Sequence, residues 1–184
     1  HGLVKHPELP DFTPGEGVDG DTPFWGQPGV HDIFRDWRTV VDSYPGERAL
    51  IGEVWRPSIA DTAQWVRPGE MHQTFNFQYL SARWKASTQR RVITESLREY
   101  GAVGSPSTWV LSNHDVIRHA TRLAMTVPVP QGHGVGPDSP GLPDLATGVR
   151  RARAATALML ALPGSAYLYQ GEELGLPEVV DIPG

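Results

Sequence analysis

Apolar positions recur at helical spacing across residues 30–44, where Val30, Ile33, Phe34, Trp37, Val41 and Tyr44 fall on one face. That period predicts an amphipathic helix with Trp37 turned inward, stopped by Pro45-Gly46. A mainly apolar run at residues 49–54, broken only by Glu53, then predicts a buried strand, followed by a short helical stretch at 59–66 and a break at Pro68-Gly69. Residues 72–80 alternate around Phe75, Phe77 and Tyr79 and predict a second strand. Residues 86–100 return to helical spacing, with Val92, Ile93, Leu97 and Tyr100 inward, and end at Gly101. Residues 107–111 predict a third strand, 148–162 an Ala-rich helix closed by Pro163-Gly164, and 166–169 a last strand. Two stretches lack any period and are rich in Pro and Gly: residues 1–29 and 124–147. The second is long for a loop inside a compact domain, a length that goes with function or disorder. Strand and helix alternate throughout, which predicts an α/β fold with a parallel sheet and right-handed crossovers.

In such a fold, chemistry collects where strands end. Glu53 follows Leu50-Ile51-Gly52, and His114-Asp115 follow the strand ending at Leu111. Two buried strands each delivering a carboxylate at the C-terminal end are what a parallel β/α enzyme needs above its sheet. Glu53 next to Val54-Trp55 has the apolar surroundings that suit an acid with a raised pKa, and an unpaired charge there is costly. The bland alternatives are a solvated strand-end Glu53 and a His114-Asp115 pair that merely caps its strand. Asn113 suits a turn, since Asn accepts unusual backbone angles.

Bulk properties remove several classes. The 184 residues carry a net charge of −5, which argues against nucleic acid or an anionic membrane as a partner. No cysteine is present, so disulfide scaffolds and cysteine-based nucleophiles or metal sites are excluded. Seven histidines show no metal-binding spacing, and no metal or other cofactor is expected. The longest mainly apolar stretch, residues 154–162, is too short to span a bilayer. No leader is visible, and a cytoplasmic location is the expectation. The chain opens on His1 rather than Met and ends at Pro183-Gly184 with no closing element, so it reads as a fragment.

Three motifs together carry a resemblance. Gly52-Glu53-Val54-Trp55, Ser112-Asn113-His114-Asp115 and Tyr169-Gln170-Gly171-Glu172-Glu173-Leu174-Gly175 resemble glycoside hydrolase family 13, the α-amylase family. Within it the chain is most similar to the α-glucosidase and oligo-1,6-glucosidase branch, on Gln27-Pro28-Gly29-Val30-His31-Asp32 and Leu176-Pro177-Glu178-Val179 as well. The resemblance implies a TIM (β/α)8 barrel, of which residues 1–184 would be about the second half, strands five to eight. It also implies a retaining hydrolysis of short α-linked glucosides by double displacement. Glu53 would be the general acid/base, Asp115 the transition-state stabiliser, and His114 a ligand of sugar hydroxyls. The nucleophilic Asp would lie just upstream of His1, and His1 itself would line the leaving-group side. Arg118 would pair with Glu53, touch substrate or simply start a helix in solvent. Glu172 and Glu173 would hold the turn after the last strand. Of the six tryptophans only Trp55 is placed to meet ligand. The missing N-terminal half of the same chain would be the necessary partner. Two rivals stay open: a transglycosylating relative such as a trehalose synthase, and a non-catalytic amylase-like binding or scaffold protein. The second would be expected to lose the acid or the His-Asp pair.

Overall fold

In the computed structural model, which describes residues 27–130 and 133–181, four parallel strands carry their helices on one face. The order is α1 (Gly29–Asp42), β1 (Ile51–Gly52), α2 (Ile59–Ala63) running into a 3-10 turn (Gln64–Val66), β2 (Gln73–Thr74), α3 (Phe77–Leu80), α4 (Ala86–Ala102), β3 (Thr108–Val110), α5 (His119–Arg122), α6 (Leu145–Leu160) and β4 (Ser165–Tyr167). β1 pairs with β2 and β3 with β4, all parallel. A single parallel bridge from Phe75 to Thr108, with Asn76 N donating to Thr108 O at 2.9 Å, joins the two pairs into one row.

The helix-covered face holds the main core. Trp109 and Leu111 of the third strand unit meet Ile59 and Ala63 of α2, Val92 and Tyr100 of α4, and Ala155 and Met159 of α6. Those helical residues sit at the i, i+4 or i, i+8 positions that keep one face of a helix against a sheet. On the other face a polar layer links β2 to β4: Gln73 Nε2 donates to Ser165 Oγ at 2.8 Å, and Tyr167 Oη donates to Gln73 Oε1 at 2.9 Å. Above it Phe75 and Tyr167 meet edge to face at 5.1 Å. The α6-to-β4 turn depends on Gly164, whose φ is +123° and where a Cβ would run into the Ser107 carbonyl.

Several expectations change: Leu97, expected inward, is 41% exposed, and the expected buried strand at 49–54 shrinks to Ile51–Gly52 with Ile51 44% exposed. Residues 72–80 do not form one strand: pairing covers only Gln73–Thr74, and α3 begins at Phe77. Asn76 is the cause. Its Oδ1 accepts from Tyr79 N at 2.9 Å, while its Nδ2 donates to Ser96 Oγ and Ser107 Oγ at 2.7 and 3.0 Å. A buried helix cap with all its bonds made outweighs the alternation of aromatics. Next, α6 starts at Leu145, inside the end of the expected loop, rather than at Gly148, because Asp144 accepts from Thr147 N at 2.9 Å. Finally, Trp37 is not inward. It is 54% exposed, edge-on to Phe34 on a helix with no buried residue.

α1 docks through Val30 and Phe34, the latter edge-on to Trp65 at 5.3 Å, and through a charged hub. Glu70, 2% exposed and just ahead of β2, receives Arg35 at 2.9 Å and Arg67 at 2.8 Å, and lies 2.6 Å from His31 Nδ1. Arg38 also donates to the Glu70 carbonyl at 3.0 Å. This hub sits at the N-terminal end of the sheet, the end associated with stability rather than chemistry in β/α barrels. Glu70→Ala is expected to lower unfolding stability by about 3 kcal/mol, the low end for breaking a buried pair because both arginines stay partly solvated. Urea unfolding of the full-length protein checks it, and a loss under about 0.5 kcal/mol would show α1 to be held by its apolar contacts instead.

Candidate active site

Parallel pairing puts Glu53, immediately after β1, and the loop after β3 at the same C-terminal rim. Glu53 itself is exposed, between buried Gly52 and Val54. The expected apolar enclosure is therefore absent among the described residues. Strand alternation explains it: Gly52 and Val54 turn to the helix-covered face, and Glu53 turns to the open one. Trp55 stacks on Phe77 with ring centroids 3.8 Å apart and planes 9° from parallel. One indole face is thereby committed to an apolar cluster of Phe77, Leu80 and Val110, with Phe75 and Val116 against it.

His114 and Asp115 stand together, with Nε2 and Oδ2 3.5 Å apart, and 70% and 54% of their side chains exposed. Asn113 shapes their turn as expected: its Oδ1 accepts from Asp115 N at 3.0 Å. Adjacent imidazole and carboxylate groups offer a donor and acceptors at the spacing of neighbouring sugar hydroxyls. Arg118 starts α5 and does not reach Glu53. Its guanidinium donates to Gln170 O at 2.7 Å and lies 4.9 Å over the Tyr169 ring, while its backbone N donates to Glu178 at 2.8 Å. Arg118 thus ties the His-Asp loop to the turn after β4. In that turn Glu173 accepts from Gly171 N at 2.9 Å, and the Glu172 carbonyl accepts from Gly175 N at 2.9 Å. His1 lies outside the described residues. Among those residues no group of three or more His, Asp or Glu side chains is placed to hold a metal ion. Nor is any helix among them long and apolar enough to cross a membrane.

Behind the His-Asp loop lies a buried cluster that sequence reasoning missed. His119 N donates to Ser112 Oγ at 2.9 Å, closing the loop, and His119 Nδ1 lies 3.1 Å from the same hydroxyl and 3.5 Å from Glu172. Arg122 donates to the carbonyls of Leu80, Ile117 and Leu111. The only signal in the sequence was the i, i+3 spacing of His119 and Arg122, which many surface helices also show. Burial pushes Glu172 up to about 7, with Ser112, the Tyr169 backbone and two arginines holding it back. Burial also pushes His119 down to about 4, and the Arg122 charge adds to the fall.

These shifts oppose one another. His119 has a folded value below its ordinary 6.5, so its contribution is present above that pH and lost as pH falls toward 4. Glu172 has a folded value above its ordinary 4.5, so its contribution is present below that pH and lost as pH rises through about 7. Between the two ordinary values the folded pair holds neutral imidazole and neutral carboxyl, and the unfolded pair holds both charges. Proton counts match, so the pair adds no pH slope there. Glu172→Gln is expected to expose the His119 slope, with stability falling by up to about 1.4 kcal/mol per unit as pH drops through that window. Urea midpoints of parent and variant at several acid pH values check this; identical slopes would refute the pairing.

Residues 2–181 match the family model of the α-amylase catalytic domain, and the chain belongs to the α-amylase family. It is 28% identical over 152 residues to a probable α-glucosidase of Rhizobium meliloti, covering 80% of this chain and 24% of that protein. It is 24% identical over 199 residues to an oligo-1,6-glucosidase of Parageobacillus thermoglucosidasius, covering 96% and 31%. A solved α-glucosyl transfer enzyme superposes with a TM-score of 0.64 at 30% identity, over 82% of this chain and 24% of that one. An α-amylase from H. orenii gives 0.53 at 20% identity over 82% and 29%, a likeness of fold alone. The chain thus spans about a quarter to a third of these relatives. Its four βα units are part of the TIM barrel common to them.

Proposed function

We propose that residues 1–184 form the second half, strands five to eight, of the catalytic barrel of a retaining α-glucosidase acting on short α-linked glucosides. The observation that carries this is the shared rim: Glu53 and the His114-Asp115 pair stand at the C-terminal ends of strands running the same way. In this reading an Asp upstream of His1 attacks the anomeric carbon while Glu53 protonates the departing oxygen. Glu53 then takes a proton from water as the covalent intermediate is released. Asp115 and His114 hold hydroxyls of the same sugar ring, and Asp115 opposes the positive charge that develops on it. Trp55 walls the rim, Arg118 supports it from the β4 turn, and His1 lines the leaving-group side. The irregular stretch before α6 follows the third strand unit and narrows the entrance to short substrates.

Products test the proposal. The full-length protein given p-nitrophenyl α-glucoside is expected to release α-glucose first, seen by proton NMR before mutarotation. Release of β-glucose, or no turnover, would overturn it. A second reading is favoured by the 30% identity to an α-glucosyl transfer enzyme: the same half-reaction followed by an acceptor sugar or alcohol in place of water. Transfer products exceeding free glucose at millimolar substrate would select it over hydrolysis.

A further inference from the structure

Between the second and third βα units lies a cavity of about 490 Å³ that holds none of the proposed catalytic groups, though Met125 and Pro128 of the stretch placed at the entrance form part of its wall. Its floor is apolar and buried: Leu80, Ala82, Ile117 and Leu123, with half-buried Val116 and Trp84 beside them. Its charged lining is all of one sign. Arg83, Lys85, Arg122 and Arg151 face it, and no carboxylate is among the described residues that line it. A chain of net charge −5 with twenty-one acidic residues has placed none of them there.

Little of the positive charge meets a counter-charge, the Glu172 carboxyl acting on Arg122 alone. Arg83 and Lys85 are exposed and have no side-chain hydrogen bond or ion pair among the described residues. Arg151 donates to the Leu123 carbonyl at 2.8 Å, and the bonds of Arg122 go to main-chain carbonyls as well. Burial lowers Arg122 to about 10 against the opposing pull of Glu172, so its cation is held where water solvates it poorly. Arg83 and Lys85, two positions apart and without a side-chain counter-charge among the described residues, are free to take an anion. The cavity is not an open edge of the sheet either. β2 and β3 are the two inner strands of the row, so both walls come from this chain.

We infer that this cavity binds a small amphipathic carboxylate, an aromatic ring or branched chain bearing one carboxyl group, with the apolar body on Leu80, Val116 and Ile117 and the carboxylate between Arg83 and Lys85. The volume suits such a molecule, since pockets for small organic ligands run from about 300 to 1,000 Å³. A neutral sugar would leave the apolar floor and the four cations equally unanswered. Charge-assisted bonds to a guanidinium and an ammonium give the anion its advantage over an uncharged analogue.

The test uses the full-length protein and fluorine NMR titration with 4-(trifluoromethyl)benzoate, against the uncharged 4-(trifluoromethyl)benzamide. The benzoate is expected to bind saturably below about 10 mM, and the benzamide at least about tenfold more weakly. The double variant R83A/K85A is expected to lose the benzoate by a similar factor. R90A/R98A, which removes equal charge from the outer face of α4, is expected to keep it. Both pairs are exposed, so folding is preserved, and unfolding curves verify that. No saturable binding, equal binding of the amide, retention in R83A/K85A, or equal loss in R90A/R98A would each overturn the inference. None of these readouts depends on glycosidase activity, so failure here and failure of the proposed function are separable.

Discussion

Glu53→Gln in the full-length protein is expected to cut turnover of maltose, or of an alkyl α-glucoside, by about 10² to 10⁴. The leaving oxygen of such substrates is basic, and it departs slowly unless a proton arrives in the transition state. With p-nitrophenyl α-glucoside the loss in the first step should be far smaller, because the phenolate leaves without help. That contrast separates a proton donor from a residue that merely shapes the rim, since a structural defect slows both substrates alike. Glu53→Ala with an activated substrate should be partly rescued by azide, which attacks the intermediate without needing a general base. Near-normal turnover of maltose in Glu53→Gln would sink the assignment.

What the sequence disclosed follows from how local each signal is. α4 and the third strand were largely legible because period and stop residues agree: Val92 and Tyr100 are buried and Ile93 packs against them, although Leu97 is 41% exposed, and Trp109 and Leu111 lie in the core. The His114-Asp115 turn was legible because Asn113 builds it with its own side chain. The break at Asn76 was not, because an alternating aromatic pattern and a capped turn look alike until Ser96 and Ser107 are known to reach the same amide. Trp37 failed for a related reason: periodicity tells which residues share a face, not whether anything covers it. Glu70 and Glu172 were invisible as buried charges, since burial is set by residues distant in sequence. Glu70 finds its partners in α1, at His31 and Arg35, and Glu172 finds His119 across the β4 turn. Long-range partners decide electrostatics, and sequence pattern speaks mainly of short range.

The same uncovered faces lead to the other large effect. Expressed alone, residues 1–184 are expected to show no glycosidase activity and to run as aggregate, oligomer or loosely packed species. Among the described residues β1 and β4 each have a neighbour on one side only, and a barrel closes by pairing such edges. Large apolar groups stand exposed near both ends of the row: Ile51 at 44%, Trp37 at 54%, Leu168 at 50% and Leu174 at 71%. Edges and patches of that kind drive association until something covers them. The relatives matched are three to four times longer, which is chain enough to do so. Activity fails for a separate reason, because the proposed nucleophile lies upstream of His1 and Glu53 has nothing to work with. Size-exclusion chromatography beside a p-nitrophenyl α-glucoside assay reads both. A monodisperse monomer would show that four βα units can shield their own edges. Hydrolysis by that monomer, abolished in Glu53→Gln, would mean that the nucleophile is among these residues and that the upstream Asp is not required.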